Sequence, residues 1–147
     1  ASTDDGAESS IGLTWNDALM DGLTLVAGRF DDSNIAENNT YGVKYTAGGL
    51  TAAYQLTDVD YETSSSNDQE AVHMGVSFAV NENLSVSAGR QSVEITTTAT
   101  DEVNTGMSAS YTMGSITVGA AMNEVDAVGG VEGVKAEVTS LNLAFAF

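Results

Sequence analysis

Through most of this chain every second residue is apolar. Reading back from the end, Phe147, Phe145, Leu143 and Leu141 share one side of an extended segment, and Ala146, Ala144, Asn142 and Ser140 share the other. Residues 70–80 carry the same rhythm, with Val72, Met74, Val76, Phe78 and Val80 set against Ala71, His73, Gly75, Ser77 and Ala79. A period of two is that of a β-strand with one apolar face. The pattern predicts further strands over 10–15, 22–31, 40–47, 50–60, 84–95, 104–113 and from Ile116 through Met122, with the last over 138–147. That makes nine, in an all-β chain.

The links between these strands alternate in length. Gly48-Gly49 and Gly114-Ser115 read as tight hairpin turns, and residues 16–21 and 81–83 also turn sharply. Residues 32–39, 62–69, 96–103 and 127–133 read as long polar loops, and 1–9 as a polar leader into the first strand. A soluble Greek-key sandwich gives no reason for short and long to alternate. An antiparallel up-and-down transmembrane β-barrel does, because its turns are short at the periplasmic end and its loops long outside. The apolar set then meets lipid and the small or polar set meets a wet interior.

Composition sharpens this picture. The 147 residues include 15 Gly but no Pro and no Cys, so disulfides and thiolate metal sites are out. No apolar run approaches the length of a transmembrane helix, whereas a barrel strand spans a bilayer with about 9–11 residues. The formal net charge of −17, from 21 acids against four Lys and Arg, excludes nucleic acid as a partner. Only Asp17, Asp21 and Glu82 fall in the short turns, which leaves 21 − 3 = 18 acids at the other end or in the N-terminal segment. No signal peptide stands at Ala1, which suggests a mature secreted form or an excised fragment.

Candidate chemistry is sparse. With no Cys and a single imidazole, a nucleophile–base pair has little to form from, and His73 reads as a polar wall residue. Strand parity sends Lys44, Gln55, His73, Ser77, Ser87, Ser108, Ser110, Thr117, Asn123 and Asn142 to the interior. Arg29 and Arg90 are harder to place, since strict alternation aims them outward, where a guanidinium near the outer interface snorkels. A bulge at Gly28 and Gly89 would instead turn both inward, and they are assigned to the lumen or its rim. Lys135 reads as a solvated rim charge. Asp31, Asp32, Asp58 and Asp60 supply oxygens at the outer mouth that could hold calcium, although no calcium-loop signature is present and a solvated acidic rim accounts for them as well. No other cofactor is expected.

The closing S-L-N-L-A-F-A-F resembles the last strand of bacterial outer-membrane barrels, in which an alternating apolar set ending in Phe, here Leu141, Leu143, Phe145 and Phe147, is the assembly signal. Together with T-Y-G-V-K-Y-T-A-G-G-L-T-A-A-Y-Q-L-T-D-V-D at 40–60 and the segment 74–93, it is similar to the C-terminal part of alphaproteobacterial general porins of the Rhodobacter type. The resemblance implies a trimeric, sixteen-stranded, water-filled outer-membrane channel for small hydrophilic solutes, with a constriction loop in the N-terminal half. Residues 1–147 would then be the C-terminal part of one barrel domain, completed by a missing N-terminal half or a second chain. A different class remains open: a closed eight-stranded barrel over 22–147, acting as an adhesin or structural anchor, with 1–21 as a tail. A third reading, an acidic soluble β-protein, requires the apolar faces to be buried against a second sheet.

Overall fold

The computed structural model describes residues 8–32, 35–62 and 67–146. They form one sheet of nine strands in the order β1 to β9, each hydrogen-bonded only to its neighbours in sequence. The strands are β1 (Glu8–Asn16), β2 (Leu23–Asp32), β3 (Ala36–Ala47), β4 (Leu50–Tyr61), β5 (Gln69–Ala79), β6 (Leu84–Ile95), β7 (Glu102–Met113), β8 (Ile116–Asp126) and β9 (Lys135–Phe145). Every pairing is antiparallel, so the sheet is a plain up-and-down meander.

Local chemistry fixes the turns at one end. Gly48 and Gly114, at φ 56 and 61, close the β3–β4 and β7–β8 hairpins in the left-handed region that glycine enters freely. Between β5 and β6, the Asn81 side-chain oxygen accepts from the Asn83 and Leu84 amides at 2.8 and 2.9 Å, an Asx turn. In the β1–β2 turn the Gly22 amide donates to Asp17 Oδ1 at 2.8 Å.

Two expectations need correction. The β2–β3 link is not a long loop over 32–39: β2 runs to Asp32 and β3 begins at Ala36, with Arg29 paired to Asn39 and Asp31 to Glu37. The polar residues there are strand residues: Glu37 accepts across the ladder from Arg29, while along β3 Asn39 donates to Glu37 and Thr40 to Asn38. The eight-stranded alternative also falls, since residues 8–16 form β1 and pair with β2 along its whole length.

Partners across an antiparallel ladder share a face. Leu50, Phe78, Val86, Ala109, Ala120 and Leu141 therefore form one continuous apolar row. The neighbouring row on that face holds Tyr45, Ala52, Val76, Ala88, Met107 and Met122. On the opposite face lies Lys44–Ala53–Gly75–Gly89–Gly106–Asn123.

Among the described residues only Ala18, Gly119 and Ala127 are buried, because one layer of sheet encloses no core. Large apolar side chains stand free instead: Leu141 is 78% exposed, Leu143 57% and Phe145 55%. A soluble sandwich buries such a face against a second sheet. No second layer exists among the described residues, and the soluble reading lacks its essential element. On β7 the apolar-face residues from Thr105 to Met113 are exposed, while opposite them Asn104, Gly106, Ser110 and Thr112 are half-buried and Ser108 is exposed. That difference is what a sheet curved around its polar face produces.

Candidate functional site: the polar face of the sheet

Register alone decides which side chains share the polar face. Lys44 and Asn123 lie in one row, Gln55 and His73 in the next, and Ser77, Ser87 and Ser108 in a third. Ser110 and Asn142 both flank Gly119, and Thr117 pairs with Thr112. All ten positions fall on the one polar face.

Hydroxyl pairs stitch that face together. Ser87 and Ser108 share a hydrogen bond at 2.8 Å, Thr112 and Thr117 at 2.9 Å, Thr40 and Thr57 at 3.2 Å, and Thr46 and Thr51 at 3.2 Å. Each joins direct cross-strand partners, and such pairs contribute roughly 0.2–1 kcal/mol each. Five of these threonines, at 40, 46, 51, 57 and 112, were not singled out from the sequence, although extending the parity count to every strand reaches them. Gly106 and Gly119 have a further use: a Cβ on either would meet the side-chain oxygen of Asn123 or Asn142, so the two asparagines lie flat against a bare backbone.

Lys44, Gln55 and His73 line a shallow depression of 260 Å³ on this face. Gln55 donates to Thr57 Oγ1 at 3.2 Å. His73 stands between Gln55 and Gln91 and, among the described residues, bonds to no side chain. At the outer end, the Glu102 carboxylate accepts from Asn104 Nδ2 at 3.2 Å and from the Gly129 amide at 2.7 Å. This contact ties the β8–β9 loop, with its short 3-10 turn at Val128–Gly130, to the end of β7.

Arg29 and Arg90 are absent from this face. Gly28 pairs with Gly12 and Thr40, and Gly89 with Gly75 and Gly106, with no extra residue on either strand. The bulge that would turn the arginines inward does not form. Arg90 shares its row with Tyr54 and Met74, on the apolar face. Arg29, on the same face, donates to Glu37 at 2.7 Å and to Asp31 at 3.2 Å. Of the four aspartates considered for calcium, Asp31 and Asp60 are joined through Glu37, Asp58 lies one row lower, and Asp32 pairs with Ala36 on the opposite face. Among the described residues no group of three or more His, Asp and Glu is placed to hold a metal ion. Of the closing apolar set, Leu141, Leu143 and Phe145 share one face of β9, and Phe147 lies outside the described residues.

A family model for Gram-negative porins matches residues 2–147. The chain belongs to the Gram-negative porin family. It is accordingly an outer-membrane protein. Among solved structures, a mutant of Rh. blastica porin is similar, with a TM-score of 0.68 at 17% identity, over 95% of this chain and 46% of that one. At that identity the likeness speaks for the fold, and this porin chain spans about half the length of the solved one. No curated protein matches it. The membership fits the one-layer sheet, because a porin strand has lipid on one side and needs no second sheet to cover its apolar residues.

Proposed function

We propose that these nine strands are the C-terminal wall of a water-filled diffusion channel for small hydrophilic solutes and ions, in one barrel domain. One observation carries the reading: ten of the twelve predicted lining positions, all but Arg29 and Arg90, share a single polar face, while the face behind it is apolar and open. Small side chains dominate that polar face, which suits a wide lumen and would leave a narrow barrel underfilled. Nothing in the site supports a catalytic step.

Completion of the barrel follows from strand direction. Eight antiparallel pairings make β1 and β9 run the same way, so joining them directly would create a parallel seam. A second copy inserted in the same orientation meets the same obstacle at both seams. An all-antiparallel barrel needs an odd number of further strands, beginning and ending opposite to β1. The sixteen strands implied by the resemblance leave seven, which satisfies this. Assembly as a trimer belongs to the same reading.

Reconstituted in planar bilayers, the complete porin is expected to give ohmic channels. Lys44 is the cation on the polar face, and Lys44→Gln should raise the cation-to-anion permeability ratio by about two- to threefold at low salt, an effect that fades as salt screens the wall. Absence of channels from the folded complete porin would overturn the proposal.

A further inference from the structure

Three of the four cations stand on the apolar face, and two of those are neutralised. Arg29 is bonded to Glu37 and Asp31, and Lys135 to Asp126 and, at 3.6 Å, to Glu124. Arg90 makes no ion pair or hydrogen bond with a described residue. Its cross-strand neighbours are Met74 and Thr105. Glu124 shares its row but lies two strands away, roughly 10 Å at the usual strand spacing, which is about one Debye length in physiological salt.

The depth of Arg90 gives this free charge a use. The outward positions of β6 run Leu84, Val86, Ala88, Arg90, Ser92 and Glu94, so the guanidinium stands where the apolar stretch stops. Directly below it is a shallow groove of 390 Å³, walled by Met74, Val76, Ala88 and Arg90 and floored by the backbone of Gly75 and Gly89. Apart from the guanidinium its surface is almost wholly apolar. The groove combines a floor for methylenes with one unpaired cation at its upper end.

We propose that Arg90 and this groove hold one phosphate-bearing membrane lipid, with the guanidinium forked onto the phosphate oxygens and an acyl chain over Gly75 and Gly89. The inference rests on the reading of the apolar face as the lipid-facing one. It commits to a lipid phosphate, since a free anion makes no use of the groove and the acidic residues above repel one arriving from water.

The test is native mass spectrometry of the complete, delipidated porin titrated with phosphatidic acid. Wild type should bind one lipid per chain at this site, and Arg90→Gln should weaken that binding roughly tenfold, as loss of a charge-assisted bidentate contact does. Ala88→Leu, which fills the groove and keeps the charge, should also weaken it. Arg29→Gln should leave it unchanged, because Glu37 and Asp31 already occupy that guanidinium. Equal binding by wild type and Arg90→Gln would overturn the proposal, as would an equal loss in Arg29→Gln or displacement of the lipid by inorganic phosphate at the same concentration. Conductance separates the two readings. Channels of normal size with lipid binding unaffected by Arg90→Gln defeat this inference alone, whereas a folded wild-type porin without channels defeats the channel.

Discussion

Val118→Arg is expected to abolish assembly, while Ser108→Arg should leave the porin folded. Val118 sits on β8 between Tyr111 and Leu143, with Leu84 beyond Tyr111 in the same apolar row. An arginine on the lipid face costs up to roughly 2–4 kcal/mol, a large share of the about 5–15 kcal/mol that keeps an ordinary domain folded. Ser108 is on the other side of the sheet, where the guanidinium meets water and the loss is one hydroxyl contact with Ser87, about 1 kcal/mol. Heat-modifiable migration on gels and the yield of folded porin in outer membranes read out both variants. Equal tolerance, or equal failure, at the two sites would mean that the faces are not distinct solvents.

The second large effect belongs to a turn. Gly22 has φ +81, and a Cβ there would overlap the backbone carbonyl oxygen of Thr46. That strand is held in place, because the Thr46 amide donates to the Gly22 carbonyl at 2.9 Å. Neither partner can give way without breaking the β1–β2 turn from β3. Gly22→Val combines a strained backbone with a backbone clash and should destabilise the folded porin by roughly 2–4 kcal/mol. Gly48→Ala is the contrast: φ is +56 but nothing lies within 4 Å of its Cβ, so the left-handed conformation alone costs about 1–2 kcal/mol. Denaturant midpoints in detergent measure both, and a Gly22→Val variant no weaker than Gly48→Ala would show that the Thr46 contact does not matter.

The division into faces was legible because a period of two needs no tertiary information. Val72, Met74, Val76 and Phe78 are placed by counting, and the turns at Gly48-Gly49 and Gly114-Ser115 set the register of everything between them. Polar strand residues were harder to see. The segment from Glu37 to Asn39 looks like loop because what holds it lies elsewhere in sequence: the β2 residues 29–31 and β4 residues 58–60 that it pairs with, and the Arg29 side chain bonded to Glu37. Gly28 and Gly89 pointed to bulges because a glycine before a misplaced charge often marks one. Whether a strand carries an extra residue depends on its neighbour's count, and here the ladders match residue for residue. The tie between Glu102 and Gly129 joins groups 27 residues apart and leaves no local trace.

Solvent contact along one strand tests the account most directly. These 147 residues contain no cysteine, so His73, Met74, Gly75, Val76, Ser77 and Phe78 can be replaced by Cys one at a time, with the unsubstituted complete porin as the background control. In the complete porin folded in membranes, a charged, water-soluble thiol reagent should modify His73→Cys, Gly75→Cys and Ser77→Cys and spare Met74→Cys, Val76→Cys and Phe78→Cys. Uniform labelling along β5, or protection of the odd-numbered positions, would contradict a sheet with water on one face and lipid on the other.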